Sequence, residues 1–251
     1  DQTFDNKMED ILDTYVEYGK ILKPYIADVS VELYNAHKEG KRILFEGAQG
    51  ISLDVDHGIY PFTTSSNTCT GQISVGTGVS FNSIDRVIGV VKAYLSRVGE
   101  SPLPSESKDS DGELIREKGG EYGTTTGRPR RIGWLDLVQI RQAVRINGLT
   151  EIALTKLDVL NNIPEIPICT SYELGDNEIK EMPASLTQYR EAKPIYKRLT
   201  GWGDLPENVW DHGYDALPTE LKNYITFIED EVDCPVTIVS VGPQRHETII
   251  R

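Results

Sequence analysis

The chain has 251 residues, 38% of them hydrophobic and 26% charged, with a formal net charge of -13. That length allows one large domain or two small ones around a substantial core, and no apolar run reaches the ~18 residues a membrane span needs. Strong negative charge disfavours a broad nucleic-acid or anionic-membrane surface and leaves room only for a focused basic pocket. Cys69, Cys169 and Cys234 form an odd set without metal-ligand spacing, which points to a reducing, cytoplasmic setting. No secretory signal opens the sequence, and a start at Asp1 rather than Met suggests sequence upstream.

In chain order, residues 5–38 carry apolar side chains at helical spacing (Ile11, Tyr15, Tyr18, then Ile26, Val29, Leu33, Tyr34). They predict two helices broken between Gly19 and Pro24, the second ended by Gly40. Arg42–Glu46 reads as a buried strand that runs into the turn Gly47-Ala48-Gln49-Gly50. Residues 51–80 show little regular pattern, and a loop that long in a compact domain is usually functional. Its cluster Asp54-Val55-Asp56-His57 has metal-ligand residue types but reads better as a hydrogen-bonded turn. From Ile84 to Val98 we expect a short helix and then a strand from about Val87, followed by a polar, proline-bearing loop over 99–112. Leu135–Asn147 is predicted as an amphipathic helix, with Leu135, Val138, Ala143, Val144 and Ile146 mostly inward, Asp136 at its start and Gly148 closing it. Glu151–Leu154 and Ile166–Leu174 read as strands, 175–215 as polar and irregular, Glu220–Glu231 as a helix and Pro235–Val241 as a buried strand. Helices alternating with apolar strands predict an α/β fold with a largely parallel sheet.

The stretch EYGTTTGRPRRIGW, residues 121–134, carries the densest chemistry. Threonine hydroxyls and backbone N–H groups donate to anion oxygens, glycines let the backbone approach, and guanidinium groups grip carboxylates and phosphates. The same pattern also suits a solvated basic turn. Lys156-Leu157-Asp158, at the end of an expected strand, fits the Lys-x-Asp element of GTP-binding proteins. An Asp carboxylate accepts from guanine N1–H and the 2-amino group, whereas adenine presents a lone pair at N1. The alternative is a capping Asp beside a surface Lys. In a parallel sheet, turns after strands gather at the carboxyl edge, which collects Gln49, Lys156, Asp158, Ser240, Gly242 and the arginine segment. Trp134, Trp202 and Trp210 read as packing residues rather than stacking platforms.

Four segments taken together, FEGAQGISLDVDHGIYPFTTSSNT, EYGTTTGRPRRIGWLDL, LTKLDVL and SVGP, resemble adenylosuccinate synthetases from about Arg42 to Arg251. The resemblance implies a P-loop-NTPase-like fold and a GTP- and Mg2+-dependent ligation of IMP to L-aspartate in purine and AMP biosynthesis. GTP would phosphorylate the 6-oxygen of IMP, and the aspartate amine would displace that phosphate. It further implies that Gln49, Thr64, Val98 and Arg128 contact IMP. Thr124, Thr125, Thr126, Gly127, Arg128 and Arg130 would meet aspartate, in a loop that orders around it. Arg130, Lys156, Leu157, Asp158, Ser240, Val241 and Gly242 would meet GTP. Residues 101–108, SPLPSESK, depart from the family's usual Gly-Pro-Phe-Pro-Thr-Glu. The Gly-Asp-Glu-Gly-Lys-Gly-Lys phosphate loop and the general-acid His of such enzymes do not occur in this sequence, and His57 matches neither. We therefore expect the later part of one synthetase domain, with 1–40 a helical lead-in and 41–251 the nucleotide- and substrate-binding part. Its catalytic acid, base and Mg2+ ligands would lie upstream, the fragment would be inactive alone, and the full enzyme would be a homodimer. The competing expectation is a purine-nucleotide-binding module without chemistry.

Overall fold

The computed structural model describes residues 7–124 and 127–251. The chain gathers into two compact units, Asp1–Glu46 with Ile73–Ser83, and Gly47–Gln72 with Ile84–Arg251.

In the first unit, α1 (Met8–Leu22) and α2 (Val29–Lys38) are joined through a single 3-10 turn at Lys23–Tyr25. The break falls where Pro24 removes a backbone donor. Asp28 starts α2 by accepting from Val31 N at 3.2 Å, and Gly40 follows its end in the left-handed region at φ 71°. The apolar stripes are as expected, but Tyr15 is 69% and Ile26 77% exposed, and neither helix buries a side chain. The expected strand at 42–46 does not form: this segment is irregular, and Leu44 is 86% exposed. An apolar run becomes a strand only when a neighbour takes its backbone hydrogen bonds, and no described segment pairs with it. A short helix, α3 (Gly71–Thr77), interrupts the stretch expected to be irregular.

The second unit is built on a mixed, largely parallel sheet. Its strands are β1 (Ile88–Lys92), β4 (Glu151–Thr155), β8 (Val236–Ser240) and β9 (Thr248–Ile250), in the order β1-β4-β8-β9. β4 runs parallel to both β1 and β8, with Val91 opposite Leu154 and Leu154 opposite Val239; β9 is antiparallel. No helix precedes β1 at Ile84, and the strand expected to run on to Val98 is broken at the buried Ala93. There the chain leaves the sheet and forms β2 (Tyr94–Arg97), which pairs antiparallel with β3 (Arg131–Trp134). Between them lies α4 (Ser110–Gly119), whose Gly120 cap sits at φ 60°. α5 (Leu137–Asn147) and α7 (Thr219–Val232) bury Leu137, Ile140, Leu221, Ile225 and Ile228 with Ile152, Leu154 and Val239 of the sheet. Asp136 and Gly148 cap α5 as the sequence predicts. The region from 165 onward holds β5 (Glu165–Leu174), β6 (Asn177–Ile179), α6 (Leu186–Glu191) and β7 (Lys193–Thr200). The three strands form a separate antiparallel sheet in the order β6-β5-β7. This corrects the expectation of irregular chain over 175–215. Trp134 and Trp202 are core residues, 5% and 3% exposed, and Trp210 packs partly buried against the same core.

Candidate functional site

The carboxyl ends of β1, β4 and β8 lie side by side, so Lys92, Thr155-Lys156 and Ser240-Val241-Gly242 share one edge. Lys156 turns out of β4 with a left-handed backbone, φ 62°, into the 3-10 turn Leu157–Leu160. Its Nζ donates to the Gly119 carbonyl at 2.7 Å. Leu157 is fully buried and anchors the turn. Asp158 is half-buried; burial raises the pKa of its carboxyl, Lys156 draws it down and Glu247 pushes it up. Ser240 Oγ donates to the Gly242 carbonyl at 3.0 Å. A Cβ on Gly242 would lie 2.4 Å from the Glu247 carboxylate, so a larger residue there would push that side chain aside.

The arginine segment joins this edge through Glu121. Glu121 is 1% exposed, and its carboxylate accepts Lys92 Nζ at 2.6 Å and Tyr94 OH at 2.8 Å on Oε1, and Arg130 NH1 at 2.9 Å on Oε2. Burial raises the Glu121 pKa, but the bonds from Lys92 and Tyr94 outweigh it and bring it down to about 2. Burial also pushes the Lys92 ammonium down and the Tyr94 phenol up. Backbone bonds close the base of the loop, Arg130 N donating to Glu121 O at 2.9 Å and Gly123 N to Arg128 O at 2.8 Å, and the Arg116 side chain adds Nε to Arg130 O at 2.9 Å. Gly127 takes φ 63°, while Thr124 and Arg128 are exposed. Thr125 and Thr126 lie outside the described residues. Because the folded pKa of Glu121 is depressed, its ionised form contributes stability above about pH 4.5 that is lost as pH falls toward about 2. Urea midpoints of wild type and Glu121→Gln are therefore expected to differ at neutral pH and to converge as acid is added through that window.

Gln49 and Thr64 lie on the loop after residue 46, and Val98 follows β2. Gln49 is exposed with φ 65°, on a loop rather than at a strand end as expected. The neighbouring Gly50 carbonyl accepts from Thr68 Oγ1 at 2.8 Å, and Thr64 N donates to Leu53 O at 2.8 Å. Asp54, fully buried, holds this loop together: Oδ1 accepts from the Asp56 and His57 amides, both at 2.9 Å, and Oδ2 from Thr68 N at 2.5 Å. Burial opposes its charge, yet the backbone donors hold its pKa well below the carboxylate range. The hydrogen-bonded-turn reading of 54–57 thus holds. Val98, 63% exposed, follows β2, where Arg97 reaches across to the Phe62 carbonyl at 2.9 Å. The divergent 101–108 segment packs on β3: Ser105 Oγ donates to Trp134 O at 2.9 Å, and Arg131 grips Glu106 through two bonds of 2.7 Å.

Among the described residues, no group of three or more His, Cys, Asp or Glu side chains is arranged to hold a metal ion. No described helix is long and apolar enough to cross a membrane. Sequence reasoning missed Lys92, Tyr94 and Gly119, and gave Glu121, the first residue of the 121–134 stretch, no role of its own. These are common residue types on separate segments, and the Lys-x-Asp signal and the arginine run were the hints to what they surround. A Cβ on Gly119 would stand 2.3 Å from the Tyr94 hydroxyl, so the bare α-carbon makes room for the Glu121 cluster.

The adenylosuccinate synthetase family model matches residues 2–249. The chain belongs to the adenylosuccinate synthetase family. It is 50% identical over 243 residues to the adenylosuccinate synthetase of Caldanaerobacter subterraneus subsp. tengcongensis, covering 96% of this chain and 56% of that protein. It is 49% identical to the Listeria innocua adenylosuccinate synthetase, with 96% and 56% covered. The solved structure of fully ligated adenylosuccinate synthetase from Plasmodium falciparum is 36% identical, with a TM-score of 0.91 over 99% of this chain and 59% of that one. The chain thus spans little more than half the length of the adenylosuccinate synthetases it matches.

Proposed function

We propose that this chain is the later part of a GTP-dependent adenylosuccinate synthetase, carrying contacts to IMP, L-aspartate and GTP. The observation that carries this reading is the shared carboxyl edge. Neighbouring strands β4 and β8 present Lys156-Leu157-Asp158 opposite Ser240-Val241-Gly242, and Lys156 ties the base of the arginine loop to the same place. Asp158 would accept from guanine N1–H and the 2-amino group, with the Lys156 stem along the base and Ser240 to Gly242 as the opposite wall. Thr124, Thr125, Thr126, Gly127, Arg128 and Arg130 would take the carboxylates of aspartate, with Arg130 also toward GTP. Gln49, Thr64, Val98 and Arg128 would hold IMP.

The γ-phosphoryl group of GTP passes to O6 of IMP, giving GDP and a 6-phosphoryl intermediate. The aspartate amine attacks C6, and inorganic phosphate leaves. The cations of this edge stabilise negative charge on the transferring group and orient aspartate. In this reading the catalytic acid and base, the phosphate loop and the Mg2+ ligands belong to a preceding part of the polypeptide. The complete enzyme would be a cytoplasmic homodimer.

The test compares this chain with the parent reading frame in adenylosuccinate formation from IMP, GTP and aspartate. The parent is expected to turn over. The 251-residue chain is expected to give no product above a no-protein control, since the parts of such a site act as a unit. Turnover by the isolated chain would relocate the catalytic groups. A parent that binds guanine nucleotide but makes no product would favour a binding module.

A further inference from the structure

We propose that Glu121 is the positioning residue of the arginine loop: it fixes the loop's base and holds Arg130 at the carboxyl edge of the sheet, where the loop receives its anion. The ligand's identity rests on the reading above; the contacts do not.

Glu121 acts twice on the same residue. Its carbonyl accepts from Arg130 N at 2.9 Å, and its carboxylate from Arg130 NH1 at 2.9 Å. Its own amide donates to Arg116 O at 3.0 Å, anchoring it to the end of α4. Tyr122 and Pro129 then pair as an isolated antiparallel bridge, and beyond it Gly123 N donates to Arg128 O at 2.8 Å and Gly127 N to Gly123 O at 2.7 Å. One bond to Glu121 engages one of the five guanidinium donors, so Arg130 is oriented without being consumed.

Charge explains why a carboxylate stands here. Lys92, Arg130 and Lys156 lie close enough that the latter two disfavour charge on Lys92. Asp158 and Glu247 face the same region from the turns after β4 and β8. Three cations gathered at one edge repel one another, and a buried carboxylate bonded to two of them offsets that repulsion locally. A neutral amide at this position would put an N–H group against either Lys92 or Arg130, leaving buried donors facing each other. The function assigned to Glu121 is thus to keep the cations clustered before the substrate's own negative charge arrives.

The experiment uses Glu121→Gln in both this chain and the parent enzyme. In the chain, the amides of Glu121, Gly123, Gly127 and Arg130 are expected to exchange hydrogen about tenfold or more faster than in wild type, a larger change than at β4 and α5, which follow only the loss of global stability. In the parent, KM for aspartate is expected to rise about tenfold or more. The preference for GTP over inosine triphosphate, which Asp158 sets, is expected to hold within about twofold. Glu121→Asp keeps the charge with a shorter reach and is expected to fall between; it carries both readouts if the glutamine variant does not fold. Unchanged exchange at those four amides overturns the proposal. So does uniformly faster exchange with a lowered melting temperature and an unaltered KM for aspartate. A wild-type parent without synthetase activity would defeat the functional reading, while the exchange result would still decide the role of Glu121.

Discussion

Asp158→Asn in the parent enzyme is expected to lower kcat/KM for GTP by about 2–4 kcal/mol of transition-state stabilisation, with little change in melting temperature. Asn presents one acceptor and one donor where guanine N1–H and the 2-amino group require two acceptors. The environment sharpens the effect. Asp158 sits half-buried at the end of β4, its charge disfavoured by burial and by Glu247 and favoured by Lys156. Two guanine donors would supply what the folded chain withholds from this carboxylate, so binding and ionisation reinforce each other. Xanthosine triphosphate, with a 2-oxo group that accepts from the new amide, is expected to regain part of the loss. Steady-state kinetics with both nucleotides decide it. Unchanged GTP kinetics would make Lys156-Leu157-Asp158 a structural turn and remove the guanine pocket from this edge.

The parts legible in the sequence were those in which local pattern and burial agree. Glu151–Thr155 and Val236–Ser240 are short apolar runs bounded by turn residues, and both became inner strands. Asp136 and Gly148 mark α5 because capping is local chemistry. Arg42–Glu46 has a comparable pattern but no strand partner among the described residues, so composition misled. Lys193–Thr200 failed in the opposite direction: β7 is mostly solvent-facing on one side, and its lysines and arginine hide a strand that tertiary pairing with β5 creates. α4, with two glycines in ten residues, is held by Asp109, whose Oδ1 accepts from Gly112 N at 3.1 Å, more than by propensity. At the site, the Lys-x-Asp turn and the arginine run are contiguous motifs and were visible. The Glu121 cluster joins Lys92 and Tyr94 to a residue nearly thirty positions later, and only the fold brings those together.

Asp136→Ala is expected to produce a large loss of stability while leaving the candidate ligand contacts untouched. The Asp136 carboxyl is fully buried. It accepts from Val138 N at 3.1 Å on Oδ1, and from Gln139 Nε2 at 3.0 Å and the Tyr172 hydroxyl on Oδ2. One side chain therefore caps α5 and ties that helix to β5. Burial raises its pKa against the hydrogen bonds that favour the charge. Alanine would remove the cap, take the carboxylate acceptor from the buried Tyr172 hydroxyl and leave Gln139 Nε2 only its longer bond to the Tyr189 hydroxyl at 3.3 Å, a loss of about 3–5 kcal/mol. For a chain of this size that corresponds to roughly 6–20 °C in Tm. Asn is the informative contrast. With its oxygen at the Oδ2 position it keeps Gln139 and Tyr172, but turns an N–H toward Val138 N, so its loss should be nearer ~1 kcal/mol. Thermal melts of the two variants measure the difference. Equal losses would mean that the cap, rather than the bonds to Gln139 and Tyr172, carries the stability. A small loss for alanine would mean that water replaces the carboxyl in a cavity the packing does not reveal. In either variant the guanine preference of the parent enzyme should survive, because Asp136 stands at the start of α5 and Asp158 in the turn beyond the carboxyl end of β4.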